Sequence, residues 1–390
     1  MKKLTVRLFI LVFLLLVPVL GLVNVYQYYS FRLTGTVEYT EWGTQLDSKL
    51  ETDIASAFYR KLTLVDLNGA VRNLLGQQEM NLITKLDNGK LILGVPESGN
   101  ENLEMRADRL AALRDYLAAK GTEMLFVACP YEESNYDPQL PAGVTDYAND
   151  NCNRFLPMLE ARGIDTMDIR AEMHSDGIDH YDMMYRTDHH WTTEAGMYTY
   201  NKLKDYLVAK TGCDVDERVG DPEYYTATTW PKHHLGYYGQ RTGRWFAGID
   251  DFTLYTPQFD TLIEWVAGER SGQGGRLEDA FYDLTALETK DYSSRYTYDL
   301  VLGGMSISEN RIVNHLAKND LKVLVVSNSF YKAVCPFMIT AFRDVSYIHE
   351  SSVPRMMTRA NMDISDFDAV IFLYELSIIG NDGPFTFLGE

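Results

Sequence analysis

The alternation of apolar and polar positions divides the chain into three stretches. From Leu8 to Phe31 no charged residue occurs, while Lys2, Lys3 and Arg7 precede the run and Arg32 closes it. A helix of this length can cross a hydrocarbon core of about 30 Å. The pattern predicts a membrane anchor over residues 1–31, with the basic flank inside and everything beyond about residue 32 facing outward. A cleaved signal peptide, which would release the protein as a secreted form, is the alternative. Residues 32–88 mix apolar positions at helical spacing with charge, which predicts a stalk or an N-terminal helical layer.

From residue 89 the period changes. Short β-rich runs alternate with amphipathic segments: "KLILGV", "ENLEMRADRLAALRDYLAAKG", "TEMLFVACP", a helix near "NDNCNRFLPMLEARG", then "IDTMDI". This βαβαβ order with right-handed crossovers predicts a parallel sheet between helices, a three-layer α/β/α domain over residues 89–390. Gly121 and Gly163 stand where helix stops are expected. The pattern lapses over about 213–299, a stretch rich in turns and aromatic residues read as an insertion lying over the strand ends. It returns with "LKVLVVSNSF" and "FDAVIFLYE".

Composition narrows the partners. A net charge of −19 and a pI near 4.8 would repel a phosphate backbone, so nucleic acid is excluded and a neutral or zwitterionic partner is favoured. Cys129, Cys152, Cys213 and Cys335 are too sparse for a disulfide framework, and no CxxC pair occurs.

The candidate chemistry sits in two places. "VLVVSNSFYK" feeds a buried strand into Ser327, Asn328 and Ser329 ahead of a helix, where a serine would lie beside free N–H groups able to stabilise an oxyanion. A helix cap uses the same residue types. "YRTDHHWT" supplies Asp188, His189 and His190. A serine needs a histidine base, and the base needs a carboxylate to fix its tautomer. In an extended segment residues two apart share a side, which pairs Asp188 with His190 and sends His189 the other way. Two competing readings stay open: zinc held by Asp188, His189 and His190, although there is no HExxH, and a purely structural polar cluster. In the insertion, Trp230, Tyr237, Tyr238 and Trp245 offer aromatic faces with polar edges for a sugar, or simply pack the insertion down.

These residues resemble the DHHW family, which is similar to the alginate O-acetylation proteins of the SGNH-hydrolase-like superfamily. Besides "YRTDHHWT", the resemblance rests on "FVACPYEESNYDPQLP", "TMDI", "LYTPQFDTL" and "VVSNSFYKAVCPF", in that order along the chain. It implies an SGNH-hydrolase-like fold, with Ser329 as nucleophile, His190 as general base and Asp188 as orienting acid, and needs neither metal nor cofactor. It further implies acetyl transfer or acetyl-ester cleavage on an extracytoplasmic polysaccharide, often supplied by a multispanning membrane acyltransferase. Asn328 stands where the family usually has aspartate. The alternative function is a noncatalytic carbohydrate-binding or scaffold protein.

Overall fold

The computed structural model describes residues 60–292, 296–303, 310–352, 364–381 and 383–386, together with 18–19 and 21–23. The expected anchor over residues 1–31 lies almost wholly outside the described residues, as does most of the 32–88 stretch before Arg60. Among the described residues no helix is long and apolar enough to cross a membrane.

The described chain opens with helix α1 (Lys61–Leu74) and a small antiparallel sheet, β1 (Glu79–Met80), β2 (Ile83–Lys85) and β3 (Leu91–Ile92). The main layers follow: α2 (Asn100–Ala118), β4 (Glu123–Cys129), α3 (Ala148–Glu160), β5 (Asp165–Asp168), α4 (Ile169–Ser175) and α5 (Thr193–Thr211). The middle region holds β6 (Tyr225–His234), α6 (Tyr237–Thr242), α7 (Arg244–Ala247), β7 (Asp250–Pro257), β8 (Ile263–Ala267), β9 (Gly274–Gly275), α8 (Leu277–Ala280) and α9 (Thr297–Val301). The chain then returns to the sheet with β10 (Asn310–Asn314), β11 (Lys322–Ser327), α10 (Tyr331–Ala341), β12 (Asp344–His349) and β13 (Ala369–Glu375).

Among the described residues the main sheet has eight strands in the order β5-β4-β13-β11-β12-β10-β8-β9. Its first five are parallel, and β10, β8 and β9 extend it antiparallel. The sheet is therefore mixed, where the sequence pattern predicted a parallel one. Two further corrections follow from the pairing. The "KLILGV" segment forms β3 of the small antiparallel sheet instead of the first parallel strand. The 213–299 region does more than cover the strand ends, since it contributes β8 and β9 to the main sheet and β6–β7 as a separate hairpin.

Side-chain alternation builds the layers. Leu125, Val127, Val323, Val325, Ile371 and Leu373 face one core with α5 and α10, while Met124, Phe126, Leu324, Val326, Val370 and Phe372 face the other with α2 and α3. Each such side chain contributes about 1.5–3 kcal/mol by leaving water. Strands apolar on both faces are what a doubly covered parallel sheet requires.

One crossing fixes the site. At Gly196 an added Cβ would lie 2.2 Å from the Ala333 carbonyl oxygen, so α5 and α10 meet backbone to backbone. These two helices begin just after His190 and Ser329. Close packing here holds the two chain segments in fixed register.

Candidate active site

Parallel strands end together, and loops at that edge converge. After β11 the chain turns sharply. The Asn328 side-chain oxygen accepts the Phe330 N–H (3.1 Å), and the Asn328 and Ser329 carbonyls accept from Tyr331 and Lys332 as α10 begins. Ser327 is wholly buried, and its hydroxyl donates to the Leu373 carbonyl (2.6 Å). Ser329 is half-buried with its hydroxyl toward His190.

The second segment is a bend, not a strand. The Met184–Trp191 bridge closes it, with Tyr185 N–H donating to the His190 carbonyl (3.1 Å) and Thr192 N–H to the Met183 carbonyl (2.8 Å). Asp250 holds its tip, accepting from the Arg186 and Thr187 N–H groups and from the Thr187 hydroxyl. Trp191 is fully buried against Phe330 and donates its indole N–H to the Phe330 carbonyl (2.9 Å). The bend is thus tied to the serine turn directly.

The three polar groups come together. His190 Nδ1 donates to Asp188 Oδ1 at 3.0 Å, which leaves Nε2 to accept from the Ser329 hydroxyl at 2.5 Å. Asp188 is 1% exposed and His190 4%. The Tyr298 ring stacks on His190 at 4.0 Å, and its hydroxyl donates to the Ser329 carbonyl (3.2 Å). Asp188, His189 and His190 also each offer a ligand atom within 4.8 Å of the others, so the same cluster has the donor set of a metal site, and a bound ion would compete with the hydrogen bonds of His190.

The alternation argument misplaces His189. Because residues 186–190 bend, its ring turns inward beside His190 (3.9 Å between centroids), and its Nδ1 lies 3.0 Å from the same Asp188 oxygen. Asp188 therefore serves two histidines. A third group was invisible to local spacing: buried His234 brings Nε2 to 2.9 Å from Asp188 Oδ2, at an angle too poor for a good hydrogen bond. His234 and Asp250 come from facing ends of the β6–β7 hairpin, so its register delivers both. Gly236 follows, and a Cβ there would meet Asp188 at 2.2 Å.

The electrostatics assign protonation. Burial alone would raise the Asp188 carboxyl, but His190 and His189, by charge and hydrogen bond, outweigh it and hold Asp188 well below the usual carboxylate range. Burial pushes His190 down to about 4, helped by His189 and opposed by Asp188. His189 moves the opposite way: burial disfavours its proton, yet Asp188 raises it above an ordinary histidine. At neutral pH His190 is a free base beside an ionised carboxylate.

The aromatic candidates scatter. Tyr237 lies 6.1 Å from His189 between ring centroids and is partly exposed. Tyr238 is buried, and its hydroxyl donates to Glu132 (2.5 Å). Trp230 packs partly buried against the main core on β6, and Trp245, 55% exposed, sits in α7. Gly303 has φ +61°, and a Cβ added there would lie 3.0 Å from the Phe281 carbonyl oxygen.

The fold has known relatives. Residues 93–247 match the family model described as SGNH hydrolase-like domain, acetyltransferase AlgX. This stretch, less than half of the chain, resembles an SGNH hydrolase-like domain. Among solved structures, Bacillus cereus PatB1 with a sulfonyl adduct is similar to this chain at a TM-score of 0.61 and 20% identity, covering 80% of this chain and 99% of that one. PatB1 in a second structure gives 0.59 at 21% identity, over 78% and 99%. A DHHW family protein from Eubacterium siraeum gives 0.54 at 15%, over 79% and 95%. No curated protein matches by sequence. The SGNH hydrolase-like match spans Asp188 and His190 but ends before Ser329, so the serine joins the site through the fold.

Proposed function

We propose that the protein is an extracytoplasmic carbohydrate O-acetyltransferase or acetylesterase using Ser329, His190 and Asp188. The Ser329–His190–Asp188 chain of hydrogen bonds carries this reading. His190 Nε2 takes the Ser329 proton as Oγ attacks an acetyl carbonyl, and returns it to the departing alcohol. The acetyl group is then an ester on Ser329. A sugar hydroxyl, or water, gives its proton to His190 and attacks that ester, and the released serine oxygen regains the proton. Asp188 holds the ring and stabilises the imidazolium formed in each half.

The N-terminal apolar run would tether the enzyme outside the membrane, beside a multispanning acyltransferase supplying acetyl groups to an exported polysaccharide. Protease added from outside should then reach residues beyond Lys90 in intact cells.

The reaction is tested with a small chromogenic acetyl ester and the full chain. Turnover should fall by about 10⁴-fold in folded Ser329→Ala protein. A sulfonyl fluoride should label Ser329 with loss of fluoride, consistent in kind with the adduct on PatB1. Undiminished turnover in Ser329→Ala protein overturns the reading.

A further inference from the structure

The same sheet edge carries a second recess that the Ser329 chemistry does not use. It lies where β4 and β5 end, has a volume of about 380 Å³, and is lined by Ser134, Tyr136, Asp137, Arg170, His174 and Asp179 among others. That volume falls within the range of small-ligand pockets. In the sheet order β4 stands two strands from β11 and β5 three, which places the recess roughly 10–14 Å along the edge from the Ser329 strand.

We propose that this recess is a glycan subsite that takes a neutral sugar ring, a hexose or N-acetylhexosamine, from the same chain that is acetylated at Ser329. The inference rests on the acetyl-transfer reading of the Ser329 site and adds the class of acceptor. Tyr136 is 45% exposed, and its ring stacks on His174 at 4.0 Å with the planes 1° apart. The Ser134 hydroxyl fixes the backbone beneath it, accepting the Tyr136 and Asp137 N–H groups at 3.2 and 3.1 Å. A stacked aromatic ring loses less freedom than an unsupported one when the apolar face of a sugar covers it.

The charges around the ring select a neutral ligand. Among the described lining residues Arg170 is the one guanidinium or ammonium, and it is buried and spent. It donates to both Asp168 oxygens (2.9 and 2.8 Å), to Asn149 (2.8 Å) and to Asn153 (3.1 Å). His180 is neutral near pH 7, pushed down to about 4 by burial. Asp137 and Asp179 present carboxylates that accept from sugar hydroxyls and repel a uronate.

Binding is measured by calorimetry in full-length Ser329→Ala protein, so that it does not depend on chemistry, using equal-length oligomers of glucose, of N-acetylglucosamine and of galacturonate. Wild-type turnover of the small acetyl ester reads the Ser329 chemistry separately, and either result can fail alone. At least one neutral oligomer should bind at least tenfold more tightly than the uronate. Tyr136→Ala should weaken that binding about tenfold, Tyr136→Phe should restore it, and Asp137→Lys should improve uronate binding. No neutral binding, equal binding of the uronate, or unchanged affinity in folded Tyr136→Ala protein overturns the proposal. His174→Ala gives a second route to the same loss by removing the ring's support, and retained affinity there counts equally against it.

Discussion

Replacing Gly236 with alanine tests the carboxylate's position without replacing any titratable residue. The backbone at Gly236 has φ −72°, which any residue adopts, so the perturbation is steric. The new Cβ would lie 2.2 Å from Asp188 Cβ and 2.5 Å from its Cγ and Oδ2, against ordinary contact from 3.4 Å. Asp188 has little room to yield: Oδ1 is shared by His189 and His190, and Oδ2 faces His234. Contact must therefore open by roughly 1 Å, and misplacement of that size costs about 10²-fold in rate, or about 2.7 kcal/mol of barrier. Overpacking should also cost about 1–3 kcal/mol of stability. The assay pairs kcat/KM on the small acetyl ester with thermal melting. Gly380→Ala, where nothing lies within 4 Å of the added Cβ, is the control and should leave turnover unchanged. Wild-type turnover in a folded Gly236→Ala protein would refute the reasoning, because it would mean that the carboxylate's place does not matter.

Three further outcomes are expected. The double variant Ser329→Ala with His190→Ala should lose little more activity than the worse single change, whereas Ser327→Ala should keep turnover and lose about 1 kcal/mol with its bond to Leu373, as rate and melting measurements would show. The pH profile of kcat/KM should hold on the acid side until His190 protonates near 4, because the neutral ring is the base; His189→Gln removes a cation that lowers His190, so the acid limb should move to higher pH, and an unmoved limb would deny the coupling. Gly196→Ala should destabilise by about 1–3 kcal/mol in denaturant titration, because the obstructing atom is the Ala333 backbone oxygen and cannot rotate away.

Much of the frame was legible because buried parallel strands read as unbroken apolar runs. "MLFVAC", "VLVV" and "AVIFLY" became β4, β11 and β13, and Gly121 and Gly163 end their helices at positive φ. The antiparallel strands escaped for a physical reason: β8 and β10 alternate buried and exposed positions, and their short stretches carry no more apolar signal than a loop. At the site, the Asp188–His190 pair was legible from chemistry and spacing, whereas the choice of Ser329 came from the family resemblance. His189 was misjudged because period-two reasoning presumes an extended chain, and the local bend is set by Asp250, distant in sequence. His234, Gly236 and Tyr298 reach Asp188 and His190 only through tertiary register, which no local window contains.

The ends of the main sheet carry a consequence of another kind. An open sheet edge is a template on which a second molecule can add a strand, a hazard for any protein kept at high local concentration. Among the described residues one edge is β9, two glycines long, with too few backbone groups to seed pairing. The other is β5, four residues long, whose Asp165 is held by Lys210 and Tyr206 and whose Asp168 is held by Arg170. A strand docking on that edge would have to desolvate these charges. Neutralising Asp165 and Asp168 together would leave "DTMD" as an uncharged, β-prone border, and the molecule's resistance to self-association would then rest on its overall negative charge alone.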